Sequence, residues 1–330
     1  MGAFSVADVR ALTSTTSPTD RGPHPTLPHA SRGGGISGRS WRQREVYARR
    51  YMVFALPALV VIAAVIVFPW VFTIYMSLHD WQVGKPTTWI GLDNYLQLAT
   101  DARFLGSILR TLWYTVLAVG LPVIFGTLAA LIFHERFPLR GFLRGVFIMP
   151  MMATPVAVAL VWTMMYHPQL GVLNYLLSLV GIGPLNWVYD QATVIPSLVV
   201  VEVWHWTPLV MLIVLGGLAA LPTEPYDSAR IDGASAWQMF RYITFPLVAP
   251  FIVVAMIIRT IDALKAFDTI FVITQGGPGT SSETINIFLY LQAFAFYKIG
   301  YASATVVVFF VLICALSLVL LHVRQRAKWT

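Results

Sequence analysis

The chain has 330 residues, of which 57% are hydrophobic and only 11% charged, with a formal net charge of +7. Soluble domains carry roughly a quarter charged residues, so a water-soluble globule of this size is excluded and lipid is the expected solvent. The positive balance does not indicate nucleic acid, because the basic residues flank apolar runs instead of forming a face interleaved with stacking aromatics. A single cysteine, Cys314, rules out an intrachain disulfide framework or a cysteine metal site, and it reads as inert packing in the last apolar run.

Residues 1–48 are rich in Ser, Thr, Pro, Gly and Arg and lack the apolar core of a secretory signal. This predicts a disordered N-terminal tail. Six apolar runs follow, at about Tyr51–Leu78, Leu112–Phe133, Phe142–Tyr166, Thr193–Leu221, Ile243–Ile273 and Ala302–His322. Each has about the 20 residues needed to cross a hydrocarbon core of roughly 30 Å. The expected fold is therefore all-α: a six-helix transmembrane domain over 49–330, both termini on one side. Of the 22 Lys and Arg, 16 fall on the side of the termini and six on the other. The bias of basic residues toward the cytoplasm then places both termini and the loops near 134–141 and 222–242 inside. The loops near 79–110, 167–192 and 274–301 are external.

In the fourth run, Glu202, His205 and Trp206 stand at i, i+3 and i+4 and share one helical face. They offer hydroxyl acceptors, a donor and a flat ring to a polar ligand; a Glu–His structural pair is the plainer alternative. The loop that follows reads Leu221-Pro-Thr-Glu-Pro-Tyr226-Asp227-Ser-Ala229-Arg-Ile-Asp232-Gly233-Ala234. A short helix is expected to begin after Pro225 and to stop at Gly233, the residue best suited to a left-handed helix end. A second short helix over Ser235–Ile243 is expected to run toward Pro246.

The fifth run carries Arg259, Asp262, Lys265 and Asp268 at steps of three with alternating sign. Charged groups inside a span cost roughly 2.5–3.5 kcal/mol each on insertion scales, so they need partners or a water-lined path. Consecutive members can pair along one helical stripe, either as a self-neutralised packing ladder or as the polar wall of a pathway. Because apolar residues continue to Ile273, the stripe is expected inside the external half of the membrane.

Asp227-Ser228-Ala229, Asp232-Gly233-Ala234, Phe240, Ile243 and Pro246 together resemble the EAA motif of ABC importer permeases, with Asp227 where that family has a glutamate. Gly91-Leu92-Asp93-Asn94-Tyr95, Pro150, Gly276-Gly277-Pro278-Gly279 and Gly300-Tyr301-Ala302 extend the resemblance to the carbohydrate-uptake branch, the maltose and glycerol-phosphate permease type, from about residue 50 to 325. The resemblance implies a type I importer permease in a bacterial inner membrane that takes in a sugar or polyol. It also implies a second permease subunit, an extracytoplasmic binding protein, and two ATPase subunits docking on 222–246 through Asp227, Ala229, Asp232, Gly233 and Ala234. It carries sugar contacts onto Glu202, His205, Trp206 and Leu209, and onto Arg259, Ala263 and Ala266, with Asp262 beside them in the charged stripe. The two alanines argue against maltose itself.

No phosphate-binding loop occurs, since Gly84-Lys85-Pro86 lacks the upstream glycine and the hydroxyl. The chain is accordingly expected not to be an enzyme, to hold no cofactor or metal, and to rely on partner subunits for ATP and Mg. The alternating charges cancel, so a neutral ligand is expected over a glycerol-phosphate-type one. An ion-coupled secondary transporter is the rival reading; it predicts two corresponding halves with broken helices, and no internal repeat is visible.

Overall fold

A computed structural model describes residues 54–326. The predicted N-terminal tail lies outside the described residues. The chain divides into units 1–62 and 63–330, and the described part of the first, residues 54–62, is helical.

In chain order the elements are α1 (Phe54–Ser77), a two-stranded antiparallel ribbon of β1 (His79–Asp80) and β2 (Thr88–Trp89), α2 (Asp93–Thr100) and α3 (Ala102–His134). Then come α4 (Arg140–Met152), α5 (Pro155–Met165), α6 (Val172–Leu179), α7 (Val194–Ala219), α8 (Glu224–Ile231) and α9 (Ala236–Leu264). The chain closes with α10 (Asp268–Thr274), α11 (Ile285–Ala295) and α12 (Ile299–Arg326). Among the described residues, five helices are long and apolar enough to cross a membrane: α1, α3, α7, α9 and α12. The bent pair α4/α5 makes six. The six-span, all-α expectation holds in that form.

Three of the runs depart from the expected straight spans. The second helix starts at Ala102, ten residues before the apolar run, because Asp101 caps it by accepting from the amides of Arg103 (2.8 Å) and Phe104 (3.3 Å). The third bends by 97° between α4 and α5. Pro155 forces its predecessor out of the helical region, and Thr154 lies extended at φ −71, ψ 145. The fifth ends at Leu264; Lys265, Ala266 and Phe267 separate it from α10, so Asp268 is not on the helix that carries Arg259 and Asp262. At its other end α9 absorbs the second short helix expected in the loop, since Ala236–Met239 continues through a π-turn over Phe240–Thr244 and past Pro246.

The core sits where α3 and α7 pack along their lengths, with α9 against both. Ala118, Ala130, Val201, Met211 and Val214 are fully enclosed there. The close approach depends on Gly126: a Cβ at that position would lie 2.6 Å from Val210 Cβ and 2.9 Å from the Thr207 carbonyl. Around the core, α12 packs against Phe68–Ser77, with the rings of Trp70 and Phe310 4.3 Å apart, and α10 packs against α5. Cys314, expected to be packed, is exposed on α12.

Opposite the 222–232 loop, the ends of the spans are tied by polar contacts. Arg103 grips the buried Glu283 carboxylate with Nε (2.8 Å) and Nη2 (2.7 Å), and the Tyr301 hydroxyl donates to Asp101 at 2.7 Å. Asn94 donates to the carbonyls of Ser77 and His79, which pins α2 beneath the end of α1. Gly300 approaches the His79 carbonyl so closely that any Cβ there would collide with it. The Gly91–Tyr95 and Gly300–Ala302 motifs are thus parts of one structural cap, and Gly276, where an added Cβ would lie 3.6 Å from Glu283 Cβ, borders it.

Gly126→Ala is expected to destabilise the protein by about 1–3 kcal/mol through overpacking. Gly120→Ala, one face away with open space at its Cβ, is expected to be neutral or to stabilise by up to about 1 kcal/mol through helix propensity. Heat challenge of the purified protein followed by size-exclusion chromatography distinguishes the two.

Candidate functional site

Two regions carry the polar chemistry of the chain. The first lies between α7 and α9 within the spans. Glu202 and Arg259 form an ion pair of 2.9 Å (Oε2 to Nη2), with side chains only 5% and 1% exposed. The expected pairing along α9 is secondary: Arg259 to Asp262 is 3.9 Å and Lys265 to Asp262 is 4.0 Å. The Arg259 guanidinium also lies 4.6 Å from the centre of the Trp206 ring, within cation–π range. Its strongest partners are therefore on the neighbouring helix, and they are two of the residues that share one face of α7.

His205 does not pair with Glu202. Its Nε2 lies 3.3 Å from the Ala153 carbonyl, at the break between α4 and α5. A carbonyl only accepts, so Nε2 carries the hydrogen, and the imidazole satisfies a carbonyl that the interrupted helix leaves without its own donor. The other break is capped in the same way: Asn286 Nδ2 donates to the carbonyls of Leu264 (2.9 Å) and Ala266 (3.3 Å).

Among the remaining expected contacts, Ala263 is buried and Trp206, Leu209, Asp262 and Ala266 are half-buried. Asp268, the last member of the stripe, is exposed on α10. Two residues of this region had no signal in the sequence beyond being polar in apolar surroundings. These are Asn286, and Tyr114 on α3, whose enclosed hydroxyl sits beside Glu202 without completing a hydrogen bond among the described residues.

The second region is the loop between α7 and α9. Helix α8 begins two residues earlier than expected, with Glu224, and ends in a Schellman arrangement. Gly233 has φ +73, its amide donates to the Arg230 carbonyl at 3.1 Å, and the Ala234 amide donates to the Ala229 carbonyl at 2.9 Å. Ser235 and Gln238 form a capping box that restarts the chain as α9. Asp227 and Arg230 pair at 3.1 Å in full view of solvent, which contributes little to stability. The Tyr226 hydroxyl donates to Thr244 Oγ1 at 3.1 Å and holds α8 against the start of α9. Asp227, Asp232 and Gly233 are exposed, Ala229 and Ala234 half-buried, and Ile231, Trp237 and Tyr242 stand 87%, 69% and 74% exposed around them. Large apolar side chains at that exposure form an apolar patch rimmed by charge.

The sequence family described as binding-protein-dependent transport system inner membrane component matches residues 122–329, well over half of the chain. The chain belongs to this family. Over 274 residues it is 37% identical to the trehalose/maltose transport system permease protein MalF of Thermococcus litoralis, covering 82% of this chain and 92% of that relative. Its fold is similar to that of a bacterial ABC transporter involved in the import of the acidic polysaccharide alginate, with a TM-score of 0.76 at 22% identity over 88% of this chain and 100% of the other. A structure of the bacterial alginate ABC transporter in complex with an alginate pentasaccharide-bound periplasmic protein gives the same score and identity over 87% and 98%.

The protein is thus an integral inner membrane permease subunit of a binding-protein-dependent ABC importer, and not an enzyme. The broken helices expected of a secondary transporter are present, but family membership decides against that rival.

His205→Leu is expected to lower thermal stability by about 1–3 kcal/mol by leaving the Ala153 carbonyl without a donor at a helix break within a span. His205→Gln, which keeps a donor on a side chain of similar reach, is expected to recover part of the loss in the same melting experiment.

Proposed function

We propose that this chain is one of two permease subunits that together import a neutral carbohydrate or polyol. Both termini lie in the cytoplasm, and the second permease completes a heterodimer. Two ATPase subunits bind ATP and Mg and dock on residues 222–246. The observation that carries the substrate class is the 37% identity, over 82% of the chain, to a relative named for trehalose and maltose. A physical argument supports neutrality: Glu202 cancels the charge of Arg259 at 2.9 Å, so the polar centre between α7 and α9 offers no net positive field to a phosphate or carboxylate.

In this reading the half-buried Trp206, Leu209, Asp262 and Ala266 line the path. Trp206 supplies an apolar ring for the C–H face of a sugar, and Asp262 accepts from hydroxyls. The buried Glu202, His205, Arg259 and Ala263 hold that wall in place. The coupling surface comprises Asp227, Ala229, Asp232, Gly233 and Ala234 with the exposed apolar residues around them. Closure of the ATPase dimer moves α8, and the Tyr226–Thr244 contact passes that motion to α9, which carries Arg259.

The substrate class is tested by ATPase activity of the reconstituted complex with its binding protein across sugars, polyols, glycerol phosphates and peptides. Stimulation is expected from a neutral sugar or polyol; stimulation solely by a phosphate ester or a peptide contradicts the proposal. Gly233→Val forces a β-branched residue into the left-handed region, a conformation costing roughly 1–2 kcal/mol even for an ordinary L-residue. It is expected to abolish stimulated hydrolysis or copurification of the ATPase, and unchanged values of both contradict the coupling assignment.

A further inference from the structure

The import reading gives no task to the surface of α6. Between Arg144 and Asp190 the chain contains no Asp, Glu, Lys or Arg, although within that stretch it leaves α5, turns, and returns to the start of α7. At the turn a Cβ on Gly171 would collide with the carbonyls of Met165 and His167. The amides of Gln169 and Leu170 donate to His167 Nδ1 at 3.3 and 3.1 Å.

Helix α6 is then clamped by the buried Asn174. Its Nδ2 donates to the carbonyls of Pro168 (2.9 Å) and Leu185 (3.0 Å), and its Oδ1 accepts from the Leu185 amide (3.1 Å) and Trp187 Nε1 (2.8 Å). These four bonds use the whole capacity of the amide, so α6 is fixed with one side on the protein. Leu173 shares that side and packs on the main core. The opposite side presents Val172, Leu176 and Leu179, exposed by 46%, 52% and 65%. Tyr175 and Ser178 follow one edge between the two sides.

We infer that α6 lies in the plane of the membrane at the boundary between headgroups and acyl chains, in the leaflet opposite the 222–232 loop. Val172, Leu176 and Leu179 are sunk among the chains, and the Tyr175–Ser178 edge is turned to the headgroups. Three observations select lipid as the occupant. The helix follows closely on α5, which belongs to a span and itself presents exposed Leu160, Val161 and Met164. The helix has an apolar side and a polar edge along its length, the pattern of an interfacial helix. No Asp, Glu, Lys or Arg occurs between Arg144 and Asp190, so the face has no ion pair to offer another subunit. With no basic residue to attract anionic headgroups, the seating is independent of lipid charge. By anchoring the chain just after α5, it fixes the depth of the α4/α5 bend, where His205 meets Ala153. The inference stands whatever ligand is transported.

The test uses the complete transporter in nanodiscs, with Cys314→Ser as background and a bimane label on Leu176→Cys, Leu179→Cys or Ser178→Cys. Labels on Leu176→Cys and Leu179→Cys are expected to lose most of their emission to lipids brominated high on the acyl chain and almost none to aqueous iodide, equally in zwitterionic and anionic discs. The label on Ser178→Cys is expected to be quenched by iodide. Quenching of the Leu176→Cys and Leu179→Cys labels by iodide would place that face in water. Protection from both quenchers would place it against the second permease. Either result overturns the inference.

Discussion

A buried charge can be held inside a membrane protein only if another group neutralises it, and in this chain that constraint joins α7 to α9. Glu202 and Arg259 are almost completely enclosed, so neither can meet water, and either alone would carry a desolvation cost of several kcal/mol. Each therefore fixes the other's helix in rotation and height. Trp206 and Asp262 complete the surroundings of the guanidinium at 4.6 and 3.9 Å. The pair sits on two of the three helices of the main core, and the third, α3, places Tyr114 beside it. The half-buried residues proposed to meet substrate are held by this arrangement, and their geometry follows from it.

The two interrupted helices follow the same accounting of polar groups. A helix that stops inside a span leaves carbonyls without donors in a medium that supplies none. The chain solves this twice with one side chain from a distant element: His205 for Ala153, and Asn286 for Leu264 and Ala266. Because α10 packs on α5, the segments beyond the two breaks lie together. The two breaks are thus linked through the packing of α10 on α5, and each is satisfied by one polar side chain.

The number of spans, the loop between α7 and α9 and the residue types at the polar centre were all legible in the sequence, each for a physical reason. Apolar length reports a span, and glycine after a short helix reports a left-handed cap, as Gly233 does with φ +73. What could not be read was pairing at long range. The step of three from Arg259 to Asp262 and Lys265 suggested a ladder along one helix, whereas the main partner of Arg259 lies 57 positions away on α7. The break after Leu264 was hidden because Phe267 and Ile270–Ile273 sustain the apolar pattern across it, and its cap, Asn286, comes from another helix. The motifs that carried the family resemblance in the first and last loops proved to serve the cap opposite the coupling loop, where Asn94, Glu283 and Gly300 tie helix ends together.

In the proposed mechanism, force enters at α8 and reaches the polar centre along α9, a continuous helix from Ala236 to Leu264. The mechanism requires that Glu202 and Arg259 act as one unit. A double-mutant cycle on thermal unfolding of the purified complex tests this most directly, using Glu202→Gln, Arg259→Met and the two together. The account predicts that Arg259→Met alone, which strands a buried carboxylate, costs about 3–5 kcal/mol, and that adding Glu202→Gln restores a large part of it. Additive losses, with the double variant no better than the sum of the singles, would contradict it.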